Sequence, residues 1–157
     1  MFKRVLKNER GLTLIELLAV IVILGIVAAI AIPAIGGLID NSKKDAHVSN
    51  AQQMINAAKI AVTADKSLIP ARGASQNITL QQLEADGYLE TVKDPDGGNY
   101  NKTGSYVTIT NTNNKLSYSV KLVNGTRGIQ TPNGGAVAEE DLARNQVINN
   151  PSSPSQQ

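Results

Sequence analysis

The apolar segment at residues 17–39 constrains the fold of this chain more than any other feature. It holds no charged or strongly polar side chain over 23 residues, and about 20 such residues cross the hydrocarbon core of a bilayer as a helix. Residues 1–11, which precede it, hold four basic residues and one acid: Lys3, Arg4, Lys7, Arg10 and Glu9. Because Lys and Arg near a span stay in the cytoplasm, we predict a single membrane pass with the N-terminus cytoplasmic and the C-terminal domain outside.

Two simpler interpretations of this N-terminus remain open. An ordinary secretory signal peptide has a short apolar stretch and a small-x-small cleavage site, which Ala29 and Ala31 supply. The stretch at residues 12–31 is 20 residues long, however, which exceeds a typical signal core, and it contains the acid Glu16. A plain membrane anchor explains the length but gives Glu16 no role, although acids inside membrane spans are functional by default. An interpretation that uses Glu16 is therefore favoured.

The string RGLTLIELLAVIVILGIVAAIAIPAI, at residues 10–35, resembles the N-terminal signature of type IV pilins and their pseudopilin relatives. A basic leader ends in a glycine, an apolar residue follows, and further fixed positions come after it: Gly11, Leu12, Thr13, Glu16, Gly25 and Pro33. The family most often has Phe where this chain has Leu12. Because several fixed positions agree at once, the resemblance favours a filament subunit over an export signal or a plain anchor.

The resemblance implies processing by a prepilin peptidase. This enzyme removes the leader between Gly11 and Leu12 and methylates the new amino group of Leu12. Glycine suits the cleavage site because a residue without Cβ lets the backbone be approached closely. The resemblance further implies that a membrane assembly platform moves the processed chain from the cell membrane into an extracellular surface filament, where it packs against other copies of itself and minor pilins.

Glu16 is the predicted assembly residue. Residues four apart share a helix face, so its carboxylate lies one turn from the ammonium group of the processed Leu12, and a buried carboxylate needs a partner. By resemblance, Glu16 pairs with the N-terminal ammonium of its own or a neighbouring subunit and sets the axial register. The alternative is an acid near the membrane interface, where charge costs least.

Gly25 and Pro33 are predicted to break the helix. Glycine weakens a helix through backbone entropy, and proline removes a hydrogen bond and clashes with the preceding turn. We expect a kink or partial unwinding between them, although membrane helices also tolerate such residues as simple bends. In filaments of the resembling family, the corresponding segment loses helicity.

The rest of the chain predicts an amphipathic continuation of the helix, a short second helix and a small sheet. At residues 40–66 the apolar side chains recur on one face: Val48, Ala51, Ile55, Ala58 and Val62. Thr79 and Gln82 have the spacing of a capping box, over a short helix that ends near Gly87. Alternating runs at 105–110 and 115–123, joined by residues 111–114, predict a β-hairpin, with a third strand at 126–130.

The predicted fold class is therefore α+β, with a long N-terminal α-helix, membrane-spanning and then amphipathic, packed on a small antiparallel β-sheet as in pilins. The chain divides into a leader at 1–11, an apolar helix half at 12–39, an amphipathic half at 40–66, a globular head at 67–148 and a disordered tail at 149–157.

Asp94, Asp96 and Asn99 raise the question of calcium, because clustered oxygen ligands bind this ion. Asp, Pro, Gly and Asn are also the ordinary residues of tight turns, so a turn is favoured and a calcium site is the minor hypothesis. The only histidine, His47, is expected to be a partly exposed helix residue. There is no cysteine, and no nucleophile arrangement, phosphate-binding loop or dinucleotide fingerprint occurs. We expect neither an enzyme nor a cofactor.

The charge outside the leader argues against direct nucleic-acid binding. Removing the leader's four basic residues and one acid from the chain's 15 and 13 leaves 11 and 12, which is nearly neutral, whereas phosphate contacts require a basic stripe. The predicted function is a structural subunit of a type IV pilus-like filament. A pseudopilin of a type II secretion or competence DNA-uptake machine is an alternative, and a membrane-anchored extracellular binding module is one from another class. The resemblance also implies that many Gram-negative pilins close a C-terminal disulfide loop, so the absence of cysteine is compatible with a Gram-positive source.

Overall fold

The first element of the computed structural model, which describes residues 13–151, is a helix of 51 residues, α1 (Leu14–Ala64). The chain divides into two compact units, Met1–Ile39 and Asp40–Gln157, and the described part of the first unit is the N-terminal portion of α1. Gly25 and Pro33 lie inside α1, which stays helical through both. The partial unwinding predicted between them is therefore not seen in the described part of this single chain.

The part of α1 after Ile39 buries one face within the second unit. Its buried residues repeat at helical spacing: His47, Ala51, Met54, Ile55, Ala57, Ala58, Ala61 and Val62. This pattern confirms the predicted apolar stripe, with Val48 partly buried beside it. α1 ends at Ala64, slightly before the predicted boundary, because Asp65 leaves the helical conformation. The Asp65 side chain accepts a hydrogen bond from the Ser67 N–H at 2.9 Å and begins a 3-10 turn, Lys66–Leu68.

The second unit contains an antiparallel sheet and a second helix, α2 (Leu80–Ala85). The six strands are β1 (Ser75–Thr79), β2 (Tyr106–Thr112), β3 (Lys115–Val123), β4 (Arg127–Ile129), β5 (Val137–Ala138) and β6 (Val147–Asn149). Their order across the sheet is β1-β2-β3-β4-β6, and β5 pairs with β3. Met54 and Ile55 of α1 belong to the same buried cluster as Ile109 of β2 and Leu122 of β3. The α+β fold class is confirmed.

The predicted hairpin is present as β2 and β3. Thr112 pairs with Lys115, which leaves Asn113 and Asn114 as a two-residue turn with φ angles of 53° and 64°. Two-residue hairpin turns of this kind require positive φ, which asparagine adopts more readily than most residues. The connection is shorter than the four residues predicted, because Asn111 and Thr112 continue β2. The third predicted strand is β4.

The predicted capping box begins α2. The Thr79 hydroxyl accepts a hydrogen bond from the Gln82 N–H at 3.2 Å, and the Gln82 side-chain oxygen accepts one from the Thr79 N–H at 2.9 Å. Two backbone donors that a helix start leaves unpaired are thereby satisfied. Gly87 has a φ of 76° just after the helix, where a left-handed residue commonly ends one.

Two parts of the head differ from the prediction. β1 occupies a stretch where the sequence predicts no strand. Ile78 is the only apolar residue of β1, so the alternation of apolar and polar residues that indicates a strand is missing. β6 includes Asn149, which pairs with Arg127 of β4, and the Asn150 N–H donates to the Thr126 carbonyl at 2.8 Å. The predicted disorder is therefore wrong for Asn149 and Asn150. Residues 152–157 of that predicted tail lie outside the described residues.

Candidate assembly site

Thr13 and Glu16 form a capping box at the start of α1. The Thr13 N–H and the Thr13 hydroxyl both donate to Glu16 Oε2, each at 2.8 Å, and the Glu16 N–H donates to the Thr13 hydroxyl oxygen at 3.3 Å. The T-x-x-E spacing of Thr13 and Glu16 is the usual sequence signal for this motif, so the cap could have been predicted from the sequence. The carboxylate of the predicted assembly residue is thus already oriented by the backbone of its own helix.

The large apolar side chains in the described part of the first unit are exposed. Their exposed fractions run from 48% at Val20 to 87% at Leu14. The most apolar 18-residue window of α1 has a mean hydropathy of 3.0 and contains no buried residue, so α1 is long and apolar enough to cross a membrane. An apolar surface of this extent is characteristic of contact with lipid or with other protein surfaces.

Gly25 has no packing role within the described chain. A Cβ built on Gly25 would meet no atom within 4 Å. No tertiary contact among the described residues therefore requires a glycine at this position.

Residues 6–32 match a family model described as the prokaryotic N-terminal methylation motif. The match supports a type IV pilin-like family. It includes part of the leader, the glycine and leucine of the predicted cleavage site, Glu16 and Gly25, and it ends one residue before Pro33. No curated protein and no solved structure matches the chain. The type IV pilin-like assignment therefore rests on the N-terminal segment, and the head is interpreted from its own geometry.

The predicted cleavage site, Gly11 and Leu12, lies outside the described residues. Cutting between them and methylation of Leu12 remain predictions. Glu16 lies in the first turn of α1, two residues after the helix begins at Leu14. The type IV pilin-like motif and the local geometry of Glu16 are thus compatible.

In the head, Asp94 and Asp96 occupy the predicted turn. The Gly97 N–H donates to the Asp94 carbonyl at 3.1 Å, and the Asp96 N–H donates to the Asp94 carboxylate at 2.9 Å. Asn99 is exposed and lines the same open depression as the two acids. Asn124 donates from its amide nitrogen to both carboxylates, at 2.9 Å to Asp94 and 3.0 Å to Asp96.

His47 is fully buried, so the prediction of a partly exposed residue is wrong. Its Nε2 lies 3.0 Å from an Asp96 carboxylate oxygen, and its Nδ1 lies 2.8 Å from the Tyr100 hydroxyl. Asn50 also donates to that hydroxyl at 3.0 Å. Burial raises the pKa of Tyr100 well above its ordinary value. A signal for this burial was present in the sequence, because His47 precedes Ala51 of the apolar stripe by one helical turn.

Arg127 completes this group of polar residues, and sequence reasoning did not identify it. Its guanidinium donates to both carboxylate oxygens of Asp96, at 2.8 and 2.6 Å, and to Asp40 at 2.7 Å. Hydrogen bonds from Arg127 hold the pKa of Asp96 well below its usual value, against the opposing effect of burial, with further bonds from His47 and Asn124. The arrangement ties the 94–100 loop and β4 to α1 through Asp40 and His47.

Proposed function

We propose that this chain is a structural subunit of a type IV pilus-like surface filament, cut by prepilin peptidase between Gly11 and Leu12 and polymerised through α1. The match of residues 6–32 to the methylation motif carries the proposal. The exposed apolar surface of α1 supports it, because that surface needs lipid before assembly and neighbouring chains afterwards. The motif favours a structural subunit over an enzyme. Pili, secretion pseudopili and competence pili share this N-terminus, and we favour the pilus-like filament.

The chemistry of assembly centres on Glu16. Cleavage creates an ammonium group on Leu12, four residues before Glu16 and on the same helix face. In the single chain Glu16 has neutral donors from Thr13. A charged partner is much stronger than a neutral donor where water is excluded. Pairing between the Glu16 carboxylate and the Leu12 ammonium of an adjoining subunit therefore stabilises the subunit position in which these two groups are in contact.

Repetition of the same contact builds the filament. A subunit whose N-terminal surface packs on a different surface of the next copy makes a heterologous contact, and such contacts give open helical assemblies when the rotation does not close. The membrane supplies the starting state: the positive leader keeps the N-terminus cytoplasmic, and the assembly platform then transfers the processed chain to the filament. Prepilin peptidase, the platform, other copies and minor pilins are the proposed partners.

Replacing Gly11 with valine tests the processing step. A branched side chain at the cleavage site obstructs approach to the backbone, so we expect the Gly11→Val chain to keep residues 1–11 and to form no surface filaments. Mass spectrometry of the membrane fraction measures the retained leader. Gly25→Ala is the matched control, because a Cβ there meets no atom within 4 Å in this chain, and it should be processed normally. A Gly11→Val chain shortened like the wild type would contradict the proposed cleavage site.

A further inference from the structure

Arg127 pairs with two acids, Asp96 and Asp40, and Asp96 in turn contacts a third acid, Asp94, and the buried His47. Two of the acids, Asp94 and Asp96, come from the 94–100 loop, and the third, Asp40, comes from α1. The side chains of Asp96 and Arg127 are only 18% and 16% exposed. Charges so far removed from water need partners. Arg127 supplies the cation for Asp96, while Asp40 is shared between Arg127 and Lys44, whose Nζ lies 3.0 Å from an Asp40 oxygen.

Asp96, the main partner of Arg127, also belongs to a group of residues that could hold a metal ion. His47, Asp94 and Asp96 each offer one ligand atom, and these atoms lie within 4.8 Å of one another. One imidazole with two carboxylates suits Mn²⁺ or Zn²⁺ better than Ca²⁺, which prefers oxygen ligands alone. The calcium hypothesis, based on Asp94, Asp96 and Asn99, did not include the nitrogen donor.

The carboxylate oxygens that could bind a metal ion already accept hydrogen bonds. Both Asp96 oxygens accept from Arg127, one Asp94 oxygen accepts from the Asp96 N–H, and the other accepts from Asn124. Asn124 also fixes the backbone of Arg127, whose N–H donates to the Asn124 side-chain oxygen at 2.8 Å. A metal ion would have to displace a bidentate guanidinium that its own strand holds in place.

We propose that Arg127 is a fixed internal cation that occupies the Asp96 carboxylate in place of a divalent metal ion, and that it makes the stability of the head independent of such ions. The guanidinium joins Asp40 of α1 to Asp96 of the loop, which is the bridging that a metal ion provides in acidic loops. Its planar donors match the Asp96 carboxylate bidentately, so lysine is not an equivalent replacement. The inference does not depend on filament assembly.

Thermal unfolding of the full chain in detergent micelles, with excess EDTA or with Mn²⁺, tests the wild-type protein. A ligand that binds only the folded state raises Tm by mass action. We therefore expect the wild-type Tm to change by less than about 1 °C in either condition. A Tm that falls by several degrees with EDTA, or rises by several degrees with Mn²⁺, would show a bound metal and overturn the proposal.

The Arg127→Gln variant tests the role of the guanidinium. We expect its Tm to fall by roughly 10 °C, because the largely buried Asp96 loses its cation, and we expect Mn²⁺ to restore part of that loss. Arg127→Lys keeps the charge without the bidentate contact and should fall between wild type and Arg127→Gln. Arg144→Gln is the control, since Arg144 makes a bidentate pair with Asp45 whose side chains are 50% and 55% exposed. An Arg127→Gln protein as stable as Arg144→Gln, or one that Mn²⁺ does not stabilise, would refute the assignment.

Discussion

Replacement of Glu16 by alanine is expected to leave the chain in the membrane and to reduce surface filaments at least about tenfold. Burial of the Leu12 ammonium without its carboxylate leaves an uncompensated charge, and breaking a buried pair in this way costs about 3–5 kcal/mol. A difference of only 1.4 kcal/mol is already tenfold in an equilibrium. Membrane insertion should persist, because the substitution makes the apolar segment more hydrophobic. The readout is the ratio of filament protein sheared from cells to protein in the membrane fraction.

The Glu16→Gln variant separates the charge from the helix cap. Glutamine also completes a capping box, so Glu16→Gln preserves the hydrogen bond from the Thr13 N–H and removes only the negative charge. We expect it to assemble as poorly as Glu16→Ala. Filaments at the wild-type level in Glu16→Gln would show that the cap, and not the ion pair, is what assembly requires, and would contradict the proposed role of Glu16.

Replacement of Gly128 by alanine is expected to destabilise the head by about 3 kcal/mol or more. A Cβ at Gly128 would lie 2.0 Å from the Leu122 carbonyl oxygen and 2.5 Å from the Val123 Cα. Both atoms are backbone atoms of β3, which pairs with β4 at these residues. The clash can be relieved only by separating the strands, since no flexible side chain can move aside. Thermal unfolding of the full chain in detergent, followed by circular dichroism, measures the loss as a fall in Tm on the order of 10 °C.

Gly125→Ala is the matched control for Gly128→Ala. Gly125 lies between β3 and β4, and a Cβ there meets no atom within 4 Å. Its substitution should change the free energy of unfolding by no more than about 0.5 kcal/mol, as is usual for surface positions. If Gly128→Ala unfolded at the same temperature as Gly125→Ala, the close approach of β3 and β4 at this residue would be incorrect.

The features that sequence reasoning predicted correctly have local signals. The apolar run, the stripe on α1, the capping box at Thr79 and the alternating strands of the hairpin each depend on residues close together in the chain. Such signals reflect helix and strand periodicity and the pairing of nearby backbone groups. The fold class followed from them, because an amphipathic helix and a half-apolar sheet bury their faces against one another.

The features that were missed depend on contacts between distant residues. β1 has one apolar side chain, and its extended conformation follows from pairing along β2, with Gln76 opposite Ile109. Arg127 and Asp40 are 87 positions apart. No periodicity connects residues at that separation, and an isolated arginine in a short strand resembles any surface residue. His47 is the exception, since its helical spacing from Ala51 indicated a buried face.

α1 is a continuous helix through Gly25 and Pro33. A helix satisfies its backbone groups internally, which matters most in a bilayer, where water is absent. Unwinding this segment frees backbone groups that then need other partners. We therefore expect loss of helicity between Gly25 and Pro33 only in the assembled filament, where adjoining subunits can compensate.

Mass spectrometry of the chain recovered from filaments sheared from the cell surface examines processing and assembly together. The proposal predicts a polypeptide that begins at Leu12, carries a methyl group on its amino nitrogen and lacks residues 1–11. A chain that begins at Met1 and remains in the membrane fraction would indicate a static anchor, and a secreted chain that begins at Ile32 would indicate ordinary export. Either result, with no chain found in sheared filaments, would contradict the proposed function.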